Sequence, residues 1–119
     1  MKRLFFPLFA GLLWLMSGTL SAAERTYNVL FIQSYTKNTP WHSLLTENLE
    51  NGLKKGGVRA NIITEYLNAD YWSFASECFI MRRICQRARQ RKTDLIVTSS
   101  DEAFFTLTHC GDSLPYQIP

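Results

Sequence analysis

Two hydroxyl-rich segments, some sixty residues apart, are the parts of this sequence best equipped to hold a ligand. The first runs Ser34, Tyr35, Thr36, Lys37, Asn38 and Thr39, with Trp41 close behind; the second is Thr98, Ser99, Ser100 and Asp101. Hydroxyl groups and backbone N–H groups at helix starts can bind a carboxylate or another polar group, while Tyr35 and Trp41 can cover an apolar or sugar face. The candidate ligand contacts therefore lie in these two segments. None supplies an evident reactive group. The alternative is that Thr39 and Ser100 only cap helices and that Trp41 packs into the core.

Several chemistries are missing from the sequence. No G-x-G-x-x-G turn follows the first apolar run, so a dinucleotide pyrophosphate has no close backbone approach. No Walker sequence and no G-x-S-x-G elbow is present, and Ser99-Ser100 has no identifiable histidine base with an orienting acid. A phosphoacceptor domain requires acids after its first strand and a carboxylate at the end of its third, where this chain has Gln33-Ser34-Tyr35 and Thr98-Ser99-Ser100. His42 and His109 lie far apart without an acidic partner at zinc-motif spacing, and no C-x-x-C pair occurs. No catalytic constellation, metal or cofactor is expected.

The elements that must position the two segments follow from periodicity. Tyr27 to Gln33 is a nearly continuous apolar run of strand length, as in a strand covered on both faces. Thr39 can then cap a helix with Pro40 in its first turn, and Trp41, Leu44, Leu45, Leu49 and Leu53 recur as one apolar stripe. Lys54 and Lys55 followed by Gly56-Gly57 end that helix. Val58 to Leu67 reads as a second strand packing through Ile62, Ile63 and Tyr66. Asn68 or Asp70 opens a second helix with apolar members Phe74, Phe79, Ile84, Cys85 and Ala88. Its five arginines between Arg82 and Arg91 read as a solvated face whose late members suit the helix dipole, rather than as a nucleic-acid or acidic-membrane patch. Asp94 to Ser100 is a buried parallel strand, and Ser99 or Ser100 caps a third helix packed through Ala103, Phe104 and Leu107. His109 to Pro119 reads as a connection. The fold class predicted is α/β, a three-stranded parallel β-α-β-α-β-α unit with right-handed crossovers. Three strands with a last helix leading nowhere read as the start of a longer open sheet whose next strand begins past Pro119.

The amino terminus has the order of a secretory signal peptide: Lys2 and Arg3, an apolar stretch from Leu4 to Met16, then small residues ending at Ala23. The apolar run is shorter than the roughly 20 residues needed to span a bilayer, and Pro7 and Gly11 interrupt it. Cleavage after Ala23 leaves 96 of the 119 residues, with 11 basic against 10 acidic side chains, a net charge of about +1. So small a charge gives no support to a nucleic-acid partner. Export predicts a periplasmic or extracytoplasmic location, an oxidising one, yet three cysteines cannot all pair within the chain. Cys78 and Cys85 would lie about 10 Å apart along one helix axis and cannot bridge each other. Three free thiols are expected, with a bond from Cys110 to one of the others as the alternative.

The stretch VLFIQSYTKNTPWHSLLTENLENGLKKGG, with DLIVTSSDEAF downstream and the closing LPYQIP, resembles the first lobe of the type I periplasmic binding-protein family. It looks most like the ABC-transporter substrate-binding-like sensor regions at the extracytoplasmic end of membrane histidine kinases. The resemblance implies an incomplete first lobe of that fold over residues 24–119, a small-molecule ligand, and contacts at Ser34, Tyr35, Trp41, Ser99, Ser100 and Asp101. It implies as partners the rest of a parent polypeptide, tethered to the inner membrane by a downstream segment, or an ABC permease. An exported α/β enzyme with catalytic residues beyond Pro119 is the competing class, in which Asp101 or His42 would take part.

Overall fold

The computed structural model describes residues 24–111 and 118. Residues 1–23, expected to be a signal peptide, and most of the expected closing connection, residues 112–117 and 119, lie outside the described residues. Between them the chain runs β1 (Thr26–Gln33), α1 (His42–Lys55), β2 (Arg59–Tyr66), α2 (Phe74–Gln90), β3 (Leu95–Ser99) and α3 (Asp101–Cys110). The three strands form one parallel sheet in the order β2-β1-β3. This is the α/β arrangement that the alternation of strand-length and helix-length patterns predicts. Thr26 aligns with Arg59 and Gln33 with Tyr66 on one side of β1; Val29 aligns with Leu95 and Gln33 with Ser99 on the other.

Being central, β1 is covered on both faces, which is why Val29 to Ser34 are all buried. Successive side chains alternate between faces. Leu30 and Ile32 enter a core with Met81, Ile84, Cys85 and Ala88 of α2, Ala103 of α3 and Leu67. Gln33 turns the other way, and its Nε2 donates to Thr46 Oγ1 of α1 at 3.1 Å. Ile32 is fully buried, which contributes about 1.5–3 kcal/mol of apolar transfer.

Both long helices end in the same way. Gly57 takes φ 72° just past α1, its N–H donates to Lys54 O, and Val58 N–H donates to Leu53 O. These two bonds satisfy carbonyls that the last helical turn leaves open. After α2 the same pair recurs, Lys92 to Arg89 and Thr93 to Ala88, with Lys92 at φ 51°. A lysine there hides the stop signal that Gly57 makes plain.

Several sequence expectations need correcting. The helix starts fall late: α1 begins at His42, because the Thr39 hydroxyl donates to Thr36 O at 2.8 Å in a preceding turn instead of capping the helix. α2 begins after Ser73 and not at Asn68, whose φ of 56° belongs to a turn. The buried faces also differ. Trp41 and Leu44 are exposed while His42 is buried, and its ring meets Tyr66 edge-on at 5.1 Å. Phe74, Phe79 and Phe104 are exposed, although Phe74 still meets Phe105 of α3 with ring centres 5.5 Å apart, and the buried polar contact between α2 and α3 is Glu77, whose carboxylate accepts from Thr106 Oγ1 at 3.2 Å. Three free thiols are not present. Cys78 and Cys110 are bonded, with Cα atoms 5.2 Å apart, and only Cys85 is free. Linear spacing could not show this, because the bond depends on α2 and α3 lying side by side.

Candidate functional site

The order β2-β1-β3 means that the chain leaves β1 in one direction through α1 and returns past it through α2. Between β1 and β3 the direction of winding reverses, and it is beyond the carboxyl ends of the strands at such a reversal that open α/β sheets bind ligands. Ser34 and Tyr35 follow β1; Ser100, Asp101 and Glu102 follow β3. The parallel register of Gln33 with Ser99 places them at the same rim.

Ser34 holds this rim together. Its hydroxyl donates to Ser99 O at 2.6 Å and accepts from Ala103 N–H at 2.9 Å, and its carbonyl accepts from Ala69 N–H at 2.8 Å. One residue thus binds the loop after β3, the first turn of α3 and the loop after β2. It is fully buried. The amide of Ala103 is among those that a helix start leaves unsatisfied, and a side-chain oxygen from another loop supplies its partner. Ser34 therefore acts as a structural tie at the rim. Its hydroxyl already uses its only proton and one lone pair, so it is poorly placed as a ligand contact.

Ser100, expected as a cap, makes no side-chain capping bond. It is exposed and held at φ 69°, ψ 165°, a region almost confined to glycine. Such backbone costs on the order of 1–3 kcal/mol and persists only where its neighbours are held. The Ser34 hydroxyl holds both, Ser99 on one side and Ala103 on the other.

Tyr35 is half-buried, and its hydroxyl donates to Glu102 Oε1 at 2.9 Å. That bond to a carboxylate is the main reason its phenol titrates above the ordinary 10.0, with burial and the nearby charges of Glu102, Asp70 and Asp101 acting the same way. Its surroundings are anionic. Of the two options that the sequence offers, a carboxylate or another polar group, such surroundings disfavour the carboxylate. The other oxygen of Glu102 is buried without a partner.

Of the six expected contacts, Ser34, Tyr35, Ser99, Ser100 and Asp101 lie at one rim, with Ser99 taking part through its carbonyl. Trp41 precedes α1 and is 51% exposed, free to cover a ligand face but not joined to the others by any contact. Glu102, Asp70 and Gln33 were not among the expected contacts. Glu102 reads from sequence only as a helix-start acid, and the register that sets it against Tyr35 is tertiary. Gln33 Oε1 and both ring nitrogens of His42 are buried without partners beneath α1. No serine–histidine–acid arrangement forms at the rim, and among the described residues no group of three or more His, Cys, Asp or Glu side chains converges as a metal site. A separate groove of about 480 Å³, lined by Leu53, Val58, Ala60 and Ile62 with Glu50 and Arg59, shares no residue with the rim. No helix among the described residues is long and apolar enough to cross a membrane. Compared with family models, curated proteins and solved structures, the chain matches none of them.

Proposed function

We propose that this chain is an extracytoplasmic small-ligand-sensing domain, the incomplete first lobe of a periplasmic binding-protein-like fold at the amino end of a two-component sensor histidine kinase. The observation that supports this reading is the reversal of winding between β1 and β3, with both loops tied by Ser34. Open α/β sheets bind ligands at such reversals. Tyr35, Trp41, Ser100 and Asp101 contact the ligand, Ser34 and Ser99 set the loops, and the anionic surround of Tyr35 selects hydroxyl or ammonium groups. Binding shifts a population of lobe arrangements and involves no chemistry on the ligand.

A substrate-binding protein of an ABC transporter uses the same first lobe. The downstream coding sequence separates the two, since a transmembrane helix followed by a kinase belongs to the sensor and a stop after a second lobe to the transport protein. The test of the binding reading is a thermal-shift and calorimetric survey of amino acids, polyamines and sugars on the polypeptide its gene encodes, repeated with Tyr35→Phe and Asp101→Asn. Binding lost in both variants, with no turnover of the ligand, supports a recognition module. Binding unaffected by either change removes the rim from consideration, and turnover abolished by Asp101→Asn makes the protein an enzyme.

A further inference from the structure

The four arginines of α2 and Arg91 just past its end divide into two groups. Arg87 makes paired bonds to the Glu65 carboxylate, each at 2.9 Å, and Arg91 reaches the same carboxylate at 3.2 Å. Arg82, Arg83 and Arg89 are exposed and have no carboxylate partner among the described residues. With Phe79 and Gln86 they line a shallow depression of about 500 Å³. Phe79 also borders a second depression of about 440 Å³ with Trp72, Ala75 and Ile80. The two depressions share Phe79 and so form one stripe along the outer side of the helix, aromatic toward its start and cationic toward its end. Phe79 and Trp72 are 60% and 52% exposed, and the Arg83 guanidinium lies 5.7 Å from the centre of the Phe79 ring.

Although the arginines read from sequence alone as a solvated face, the aromatic residues beside them lead us to infer that this stripe docks on an anionic phospholipid surface. Three uncompensated guanidinium groups select phosphate or carboxylate, and Arg offers phosphate a planar pair of donors. Exposed aromatic side chains beside them suit the boundary between headgroups and acyl chains, where a ring is half-immersed and an arginine keeps its head in the polar layer. The stripe lies on the outside of a helix and is open along its length. That shape fits a broad surface better than an acidic peptide, which a walled groove would grip. The inference does not depend on the ligand-binding reading of the rim.

The test is co-sedimentation of the full chain with vesicles of phosphatidylcholine alone or phosphatidylcholine containing phosphatidylglycerol. The chain partitions onto the anionic vesicles, and the binding falls as salt rises. Each arginine near such a surface contributes roughly a fivefold factor, so R82A/R83A/R89A binds roughly a hundredfold more weakly. R87A/R91A, which removes the two arginines already paired with Glu65, changes partitioning by less than about fivefold. W72A/F79A weakens binding while keeping its salt dependence. All variants share residues 1–23, so differences among them report on α2, and far-UV circular dichroism verifies the fold of each. Equal partitioning of R82A/R83A/R89A and the parent chain overturns the inference, as does equal binding to neutral vesicles. Release from vesicles by stoichiometric poly-glutamate, with tighter binding to that polymer, assigns the stripe to an acidic protein and also overturns it.

Discussion

The hydroxyl of Ser34, at the end of the central strand, accepts the backbone N–H of Ala103 at 2.9 Å and so supplies from one loop the cap that the third helix lacks in its own sequence. The same oxygen donates to Ser99 O. Replacing Ser34 with alanine leaves the buried N–H of Ala103 and the part-buried carbonyl of Ser99 to find new partners, at a cost of about 1–3 kcal/mol. Urea unfolding of Ser34→Ala should show a lower midpoint with an unchanged slope. Hydrogen exchange should show Ala103 among the amides that lose most protection. A variant as stable as the parent would mean that the tie contributes nothing.

Ser100 stands between the two groups that Ser34 holds, at φ 69° and ψ 165°. Glycine adopts this conformation without a steric penalty, although it adds freedom to the unfolded chain. Ser100→Gly is expected to stabilise the protein by about 1 kcal/mol, the strain relieved less that added freedom. Lys92→Gly, at φ 51° after α2, is expected to act in the same direction. Thermal unfolding of the two single variants and the double variant checks this, and a fall in midpoint for Ser100→Gly would show that the serine side chain has a role the backbone does not reveal.

How far the sequence foretold these features depends on the distance over which each is determined. The strands were legible because Tyr27 to Gln33 and Asp94 to Ser100 are short apolar runs bounded by polar turns, and all three strands fall within about two residues of their expected ends. The convergence of Ser34 with Ser99 followed from a parallel sheet once those strands were neighbours. Side-chain direction was less legible. Periodicity assigns a stripe to the most apolar residues, which puts Phe79 and Phe104 inward, whereas both are exposed and Glu77 and Thr106 are buried. A buried Glu–Thr pair across two helices leaves no local trace, and neither does the choice of Tyr35 for Glu102.

The bond between Cys78 and Cys110 closes a loop with a sequence separation of 32 and joins α2 to α3. Constraining a loop of that length in the unfolded chain stabilises the fold by about 3–4 kcal/mol in the chain-entropy account. Cys85 is buried, and its thiol is pushed above the usual 9.0, chiefly by that burial. A thiol reagent should therefore label the native protein slowly, one site after unfolding, and all three cysteines only after reduction. Reduction, or Cys78→Ser with Cys110→Ser, should lower the unfolding midpoint and raise exchange at the end of α3 and the start of α2. Rapid labelling of native protein at Cys78 or Cys110 would show that the bond is not formed.

Stability should decline at both ends of the pH scale for separate local reasons. Asp94 is held below the usual 3.8, first by the N–H of Asn28 donating to Oδ2 at 2.8 Å and then by Arg25. Burial opposes this shift. A carboxyl with a depressed folded value stabilises the fold above 3.8, and that contribution is lost as pH falls through the folded value. Tyr35 is the opposite case: its folded value is raised, so its contribution is complete below 10.0 and is lost as pH rises through the raised value. Asp94→Asn should flatten the acid limb of a urea-midpoint profile, and Tyr35→Phe the alkaline limb. An ultraviolet titration supplies the sharper check. Glu102→Gln removes the charged acceptor at 2.9 Å and should bring the Tyr35 phenol back toward 10.0, whereas an unchanged titration would mean that the Tyr35–Glu102 bond does not persist in solution.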